Sequence, residues 1–212
     1  MSDPRNSVTA RRSAAVNMRN SYYNSNAPCF SGDSKMSMAN GMNIDVSKVQ
    51  VGHRLRSVDG SVKIVKFIVK TMIRNGKTNL VRLGSNLRIT PYHPVRLKGK
   101  WCFPNDLGEV KCEDCDAVYS FVVEREEDQQ QQEEKSMSIC VGGLECASLG
   151  HGDTNSNTAH GHSYFGNRML VIRDILKIQK YQRSNEGVIS LQEGSCLHRD
   201  VGTGLVIGLC CT

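Results

Sequence analysis

The stretch SVKIVKFIVKTMI, residues 61–73, decides the fold class of this chain. Its side chains alternate with the period of two that a β-strand imposes, and both alternating sets are largely apolar. One set is Val62, Ile64, Lys66 and Ile68, and the other is Lys63, Val65, Phe67 and Val69. A strand that is apolar on both faces is expected to be covered on both faces. The sequence therefore predicts a central strand inside a packed β-structure.

Short β-branched runs of the same kind surround this strand. They read MNIDVSKVQV (42–51), NLVRLGSNLRIT (79–90), DAVYSFVVE (116–124) and MSICVGG (137–143), with Asn-Gly, Asp-Gly and Gly-Ser pairs between runs. These are strand and turn signals, so we expect an all-β protein. The run RMLVIRDILKIQKYQ (168–182) differs, because its buried candidates approximate helical spacing, although a strand beginning at MLVI remains open. These candidates are Leu170, Val171, Asp174, Ile175 and Ile178.

Polar segments divide the chain into three parts. Residues 1–28 are rich in Ser, Asn and Arg and predict a flexible leader. The segment EREEDQQQQEEK (124–135) has no apolar residue and predicts an exposed loop. A second polar run, DTNSNTAHGHS, follows Gly152. We therefore expect a leader at 1–28, a β-domain at 29–152 and a small C-terminal extension at 153–212.

Composition narrows the cellular setting and the partners. The nine cysteines are odd in number and unevenly spaced, and the first residues lack the apolar region of a signal peptide. We expect free thiols and a reducing, cytoplasmic environment. No run approaches the roughly 18 apolar residues of a transmembrane helix, so no membrane partner is expected.

The positive charge of the chain raises the question of nucleic-acid binding. The formal net charge is +6, and between Arg54 and Lys100 the basic residues face only one acid, Asp59. Nucleic-acid surfaces usually interleave such charges with aromatic side chains, and few occur here. We interpret the charges as solvated positions of half-buried strands and expect no nucleic-acid partner.

A cysteine, a threonine and a histidine suggest a chemical role. Cys29 opens the first patterned block, CFSGDSKMSMANG (29–41), and Thr90 and His93 follow a short strand in LRITPYHPV (87–95). A hydroxyl and an imidazole at this spacing could converge on one peptide bond and protonate its departing nitrogen. Cys29 could then attack the carbonyl of Pro28 and form a thioester. Each residue alone is more often structural, so their joint order carries the hypothesis.

That order resembles the Hint superfamily of inteins and hedgehog autoprocessing domains. The matching features are the opening cysteine, the turn VGHRLRS (51–57), the block around Thr90 and His93, the strand VYSFVVE (118–124), and ECASLGHG (145–152). The block ITPYHPVRLKGKWCFPNDLG (89–108) and the later HSYFGN (162–167) resemble the Vint branch, whose Hint domains are linked to von Willebrand factor A domains. The resemblance covers about residues 29–180.

The resemblance implies a fold, a reaction and a partner. The fold is a pseudo-twofold β-horseshoe that brings Cys29, Thr90, His93 and His151 together. The reaction is an N-to-S acyl shift at the Pro28–Cys29 bond, resolved by hydrolysis or by an external nucleophile. The substrate is the chain's own N-terminal flank, and a von Willebrand factor A-type domain is the partner that the family implies.

The chain departs from the family pattern at three positions. His151 is followed by Gly152 and Asp153, without the asparagine that inteins cyclise or a following nucleophile, so full splicing is not expected. Ser120 stands where the family has an aspartate that helps to ionise the cysteine. The aspartate with which hedgehog domains activate sterol falls at Val69 or Lys70, which gives no support to a cholesterol adduct. The candidates for an auxiliary role are Ser120 itself, Asp116, Cys146, His160 and His162.

Three alternatives stay open beside this interpretation. The pair Cys112 and Cys115 has zinc-knuckle spacing that Cys102, Cys140 or Cys146 could complete, but no second paired motif is present. We therefore expect no metal and no cofactor. A cysteine protease acting on other proteins would need a separate substrate cleft, which no block implies. A catalytically silent β-module for protein interaction is the remaining rival, and both Ser120 and Pro28 favour it.

Overall fold

The computed structural model describes residues 28–126, 137–155, 158–183, 186–194 and 197–210. The expected leader, apart from Pro28, and most of the expected Glu/Gln loop lie outside these residues. The described part contains sixteen strands, one α-helix and two short 3-10 helices, Val46–Lys48 and Pro104–Asp106. This mostly β architecture with a single helix confirms the predicted fold class.

The strands, numbered in chain order, form two curled sheets and a hairpin. The eight-stranded sheet contains β1 (Phe30–Ser31), β4 (Arg54–Arg56), β5 (Val62–Met72), β6 (Lys77–Arg82), β7 (Arg88–Ile89), β10 (Val110–Asp114), β11 (Ala117–Arg125) and β14 (Val188–Gln192). The six-stranded sheet contains β2 (Lys35–Ser37), β3 (Asn43–Asp45), β8 (Val95–Leu97), β9 (Lys100–Cys102), β12 (Ser138–Val141) and β13 (Leu144–Ala147). The hairpin consists of β15 (Leu197–Arg199) and β16 (Val206–Leu209).

Strand β5 is central, as the quoted stretch predicts. It pairs with β11, β4 and β14. Phe67 and Val69 belong to one hydrophobic cluster, and Val65 and Ile68 belong to the other. The register with β11 shifts between Val65 and Phe67, and this bulge places these two side chains, two positions apart, on opposite faces of the strand. The strand is therefore covered on both faces.

The expected exposed loop begins later than the sequence predicts. Glu124 and Arg125 still belong to β11, where they pair with Ile64 and Lys63. A charged residue can extend a strand while its backbone has a partner in the ladder, and composition does not show that partner. Residues 127–135 of the segment lie outside the described part.

The run at 168–182 forms a helix, α1 (Arg168–Gln182), and not a strand. The Asn167 side chain caps it by accepting a hydrogen bond from the Leu170 amide, which satisfies one free donor of the first turn. Val171 and Ile175 are fully buried in the same cluster as Cys29. This is the only α-helix in the described ranges, and it is too short to cross a membrane.

The segment after Gly152 packs onto the β-domain. Strand β14 adds to the eight-stranded sheet by pairing in parallel with β5. The Tyr164 hydroxyl donates to Asp174 at 3.1 Å, and the Leu209 amide donates to the same hydroxyl at 3.1 Å. Burial and the adjacent Asp174 raise the pKa of Tyr164 far above its ordinary value, so it remains a neutral donor. This buried network ties the C-terminal hairpin to α1.

Candidate active site

Cys29 lies where two strands of the larger sheet flank the start of β1. Phe30 pairs with Ile89 of β7 on one side and with Tyr119 of β11 on the other. The pairing places Thr90, just after β7, and Ser120, within β11, on either side of Cys29. Cys29 is 1% exposed, so it lies inside the protein. Pro28, the residue before it, is also buried.

Thr90 holds the backbone of Cys29 through three hydrogen bonds. The Cys29 amide donates to Thr90 Oγ1 at 3.0 Å, and that hydroxyl donates to the Cys29 carbonyl at 3.2 Å. The Thr90 amide donates to the same carbonyl at 3.0 Å. The Cys29 nitrogen belongs to the bond at which the sequence-based hypothesis places cleavage. Thr90 therefore fixes the nitrogen that would depart.

Ser120 contacts both the thiol and the carbonyl of the preceding residue. Its Oγ lies 3.1 Å from Cys29 Sγ and donates a hydrogen bond of 2.5 Å to the Pro28 carbonyl. The side chain is 1% exposed, and Ser120 pairs with Val69 across β5. A single hydroxyl thus touches the would-be nucleophile and the acyl group next to it.

His93 lies in a turn in which its amide donates to the Thr90 carbonyl. Its Nε2 lies 2.8 Å from the Ala147 carbonyl, and a carbonyl only accepts hydrogen bonds, so Nε2 carries the ring proton. Nδ1 is buried and has no hydrogen-bond partner among the described residues. Burial lowers the pKa of His93 to about 4, and the hydrogen bond to the Ala147 carbonyl opposes this shift. The ring is therefore neutral at pH 7, with a free lone pair on Nδ1.

His151 belongs to a stack of three aromatic rings. It lies 3.9 Å from His160, centroid to centroid, and His160 lies 3.9 Å from Trp101 with the two planes within 3°. Asp153 organises the stack, because its amide donates to His151 Nδ1 at 3.2 Å and its carboxylate lies 3.3 Å from His160 Nδ1. Because Nδ1 accepts this hydrogen bond from the Asp153 amide, the ring proton of His151 lies on Nε2. Nε2 is a buried atom with no hydrogen-bond partner in the described ranges.

Burial keeps all of these histidines neutral. It lowers the pKa of His151 far below the ordinary range, and the positive charges that His160, His162 and His93 would carry lower it further. Burial also lowers the pKa of His160 to about 4, against the opposing effect of Asp153. The pKa of His162 falls to about 3 for the same reason. His162 Nδ1 accepts from the amides of Tyr164 and Phe165 at 2.9 and 3.0 Å, which fixes the HSYFGN loop.

The other auxiliary candidates lie elsewhere. Asp116 is exposed before β11, four positions ahead of Ser120, or about 13 Å along a strand. Cys146 is fully buried in the six-stranded sheet, opposite Ile139 and Val95, in the cluster that does not contain Cys29. Burial raises the pKa of its thiol well above the ordinary value, so it is an inert core residue.

The cysteines of the zinc alternative are divided between sheets. Cys112 lies on β10 and is exposed, whereas the buried Cys115 donates its S–H to the Ala117 carbonyl at 3.2 Å. Cys102, Cys140 and Cys146 all lie in the six-stranded sheet. Within the described residues, no three His, Cys, Asp or Glu side chains are grouped so that they could hold a metal ion.

The sequence analysis did not identify three groups that contact the histidines of the site: Trp101, Asp153 and the Ala147 carbonyl. Trp101 is the single tryptophan of the chain, and Asp153 follows the His-Gly pair, so both had a visible signal. The Ala147 carbonyl had none, because a backbone acceptor is recognised only when the chain has folded. His160 stacks between Trp101 and His151, so the auxiliary candidate that the sequence named does belong to this cluster.

Comparison with known proteins finds two distant structural neighbours and one family. A search of solved structures finds the crystal structure of the gp41-1 intein at 10% identity and a TM-score of 0.41, covering 58% of this chain and all of the intein. It also finds the Msm DnaB1 intein splicing domain bound with zinc at 13% identity and a TM-score of 0.40, covering 56% of this chain and 98% of that one. No curated protein matches the chain.

The family model Vint, described as a Hint-domain, matches residues 28–208. The chain therefore belongs to the Vint family, and its fold is of the Hint type that the sequence predicted. The match begins at Pro28 and ends within the last strand, so it includes the helix and hairpin that follow Gly152. A Hint domain is an autoprocessing type of domain.

Proposed function

We propose that this domain cleaves its own chain by an N-to-S acyl shift at the Pro28–Cys29 bond. The observation that carries the proposal is the set of contacts around that one bond. Cys29 Sγ and the Pro28 carbonyl share a contact with Ser120, while the Cys29 nitrogen is held by Thr90. The nucleophile, the acyl group and the leaving group are thus all fixed by buried hydrogen bonds.

The reaction transfers the Pro28 acyl group from the nitrogen of Cys29 to its sulfur. Cys29 Sγ forms a bond to the Pro28 carbonyl carbon, and the bond from that carbon to the Cys29 nitrogen breaks. The products are a Pro28 thioester and a free amine on Cys29, so the thiol proton is balanced by the proton gained by nitrogen. A peptide nitrogen leaves only when it is protonated. Nδ1 of His93 is the proton carrier, because its Nε2 is committed to Ala147.

The reaction is proposed to end with release of the N-terminal flank. Inteins continue to a ligated product through a C-terminal asparagine, and Gly152 and Asp153 supply no such amide after His151. Water or an external thiol or amine therefore resolves the thioester. Cys29 is 1% exposed, so this step requires a local opening around Pro28.

The experiment uses the full chain with different tags at the two ends. Incubation with dithiothreitol should yield a C-terminal fragment that begins at Cys29, identified by intact mass. Cys29→Ala should remain whole, because it removes the nucleophile from the edge of the core. Cys115→Ala is the matched control, since it removes another buried free thiol whose contact is with Ala117, and it should cleave like the wild type.

Three outcomes would contradict the proposal in different ways. A wild-type chain that stays intact in strong thiol would favour the catalytically silent interaction module. Joining of the N-terminal flank to a segment that begins after Gly152 would show splicing and refute release as the end of the reaction. Cleavage of Cys29→Ala at the same bond would indicate an external protease.

A further inference from the structure

We propose that Ser120 is a catalytic residue that moves a proton from the Cys29 thiol to the Pro28 carbonyl oxygen. This inference rests on the proposed acyl shift and identifies the group that assists its first step. Ser120 Oγ lies 3.1 Å from Cys29 Sγ and 2.5 Å from the Pro28 carbonyl oxygen. Sγ is the attacking atom and the carbonyl oxygen receives the displaced π electrons, so Ser120 touches the reacting groups themselves.

The direction of the hydrogen bonds follows from the number of protons. A serine hydroxyl has one proton and two lone pairs, and a carbonyl oxygen only accepts. The hydroxyl proton of Ser120 is therefore committed to Pro28. The contact with Cys29 must then be donated by the thiol, so the bonds run from S–H to O–H to O=C. The chain of donors already points along the path that a proton would follow.

The addition step balances without an external base. Sγ attacks the Pro28 carbonyl carbon, and the π electrons of the carbonyl move to its oxygen. The Ser120 proton passes to that oxygen, and the thiol proton passes to Ser120 Oγ. The product is a neutral tetrahedral adduct that carries a hydroxyl group, and Ser120 ends as a neutral alcohol, as it began.

Burial makes a neutral transfer more favourable than an ionic one. Cys29 and Ser120 are each 1% exposed, and an isolated thiolate or alkoxide at such a site would lose most of its hydration. A carboxylate in place of Ser120 would have no proton to donate to the Pro28 oxygen. Serine therefore combines two tasks at this position, because it accepts from the thiol and donates to the developing oxyanion.

The test measures two quantities separately: the chemical shift of the Pro28 carbonyl carbon and the rate of thiol-induced cleavage. Proline labelled with ¹³C at the carbonyl carbon reports the Ser120 hydrogen bond by NMR in the uncleaved chain, without dithiothreitol. Ser120→Ala should move the Pro28 signal upfield and slow thiol-induced cleavage about 10²- to 10³-fold, the usual loss for one oxyanion donor. Ser120→Thr keeps the hydroxyl and should restore both readouts. Ser57→Ala removes a buried hydroxyl that contacts Ser138 and should change neither.

Each remaining outcome has a definite meaning. Equal cleavage rates for wild type and Ser120→Ala would overturn the relay and leave the Cys29 thioester standing. An unchanged Pro28 signal in Ser120→Ala would overturn the hydrogen bond on which the relay depends. A wild type that never cleaves would overturn the acyl shift and the catalytic step together, even if the signal moves. If the alanine variant does not fold, the nearly isosteric Ser120→Cys, a weaker donor, should still cleave more slowly than wild type.

Discussion

At the scale of single residues, His93 determines how the proposed reaction responds to pH. Its neutral Nδ1 must gain a proton before it can protonate the Cys29 nitrogen, and burial holds the pKa of the ring at about 4. The protonated fraction therefore grows roughly tenfold for each pH unit between pH 8 and pH 6. We expect the rate of thioester formation, measured at dithiothreitol concentrations where the cleavage rate no longer depends on the thiol, to rise as pH falls across that range.

The His93→Ala variant tests this assignment. It should cleave about 10² to 10⁴ times more slowly, the usual contribution of a general acid, and its remaining rate should not increase towards acid pH. His198→Ala removes an exposed histidine and should keep the wild-type profile. A rate that increases with pH in the wild type would instead identify thiolate formation as the limiting event and contradict the role of His93.

The sequence predicts only part of this residue-level geometry. Cys29, Thr90 and His93 could be grouped from their motifs, and their hydrogen bonds agree with that grouping. The bridge made by Ser120 depends on the register of β11 against β1, which joins residues 91 positions apart. A non-local register is set by packing of the whole sheet, so no local pattern contains it. From the sequence, Ser120 could be identified only as a departure from the aspartate of the family.

At the scale of elements, α1 supports the side of the core that contains Cys29. Ile175 is fully buried in the cluster that includes Cys29 and Val171, whereas its neighbour Leu176 is 49% exposed. Ile175→Ala should lower the free energy of unfolding by about 2 to 5 kcal/mol, because it removes buried methyl groups and leaves a cavity. Leu176→Ala is the matched control on the same helix and should change it by less than about 0.5 kcal/mol.

Urea denaturation of both variants, followed by circular dichroism, provides the measurement. Equal losses of stability would mean that α1 does not pack through Ile175.

The helix also shows how far the spacing of apolar residues can predict secondary structure. Spacing suggested helix at 168–182 but did not exclude a strand, and Asn167 at the N-cap decides in favour of the helix.

At the scale of the whole molecule, the two sheets and the segment after Gly152 enclose several histidines. His93 follows β7, His151 follows β13, and His160 and His162 lie in the loop before α1. The family resemblance implies that His93 and His151 converge, but no local pattern places His160 and His162 beside them, because the two sheets must first assemble around these residues. Burial is the first cause of the lowered pKa of each ring. The assembled fold therefore strongly prefers neutral histidines.

This preference predicts that acid destabilises the fold before its carboxylates titrate. In the unfolded chain a histidine has a pKa near 6.5, whereas His93 and His160 have values of about 4 and His162 about 3 in the folded state. Above pH 6.5 both states are neutral at these positions. As pH falls below that value, these histidines bind protons in the unfolded chain but stay neutral in the folded chain. The free energy of unfolding therefore decreases. The limit is about 1.4 kcal/mol per pH unit for each histidine.

Urea denaturation at several values between pH 7.5 and pH 4.5 measures this effect. His162→Asn should make the decrease shallower, because its side-chain oxygen can accept from the Tyr164 and Phe165 amides without titrating. His198→Gln, at an exposed position, should leave the slope unchanged. The folded state lowers the pKa values of Asp33 and Glu113 from 3.8 and 4.5. The stability that these carboxylates contribute is therefore lost mainly below pH 4.5, the lower end of this range. A constant free energy of unfolding from pH 7.5 to 4.5 would show that the folded state admits charged histidines and would contradict the buried arrangement around His93.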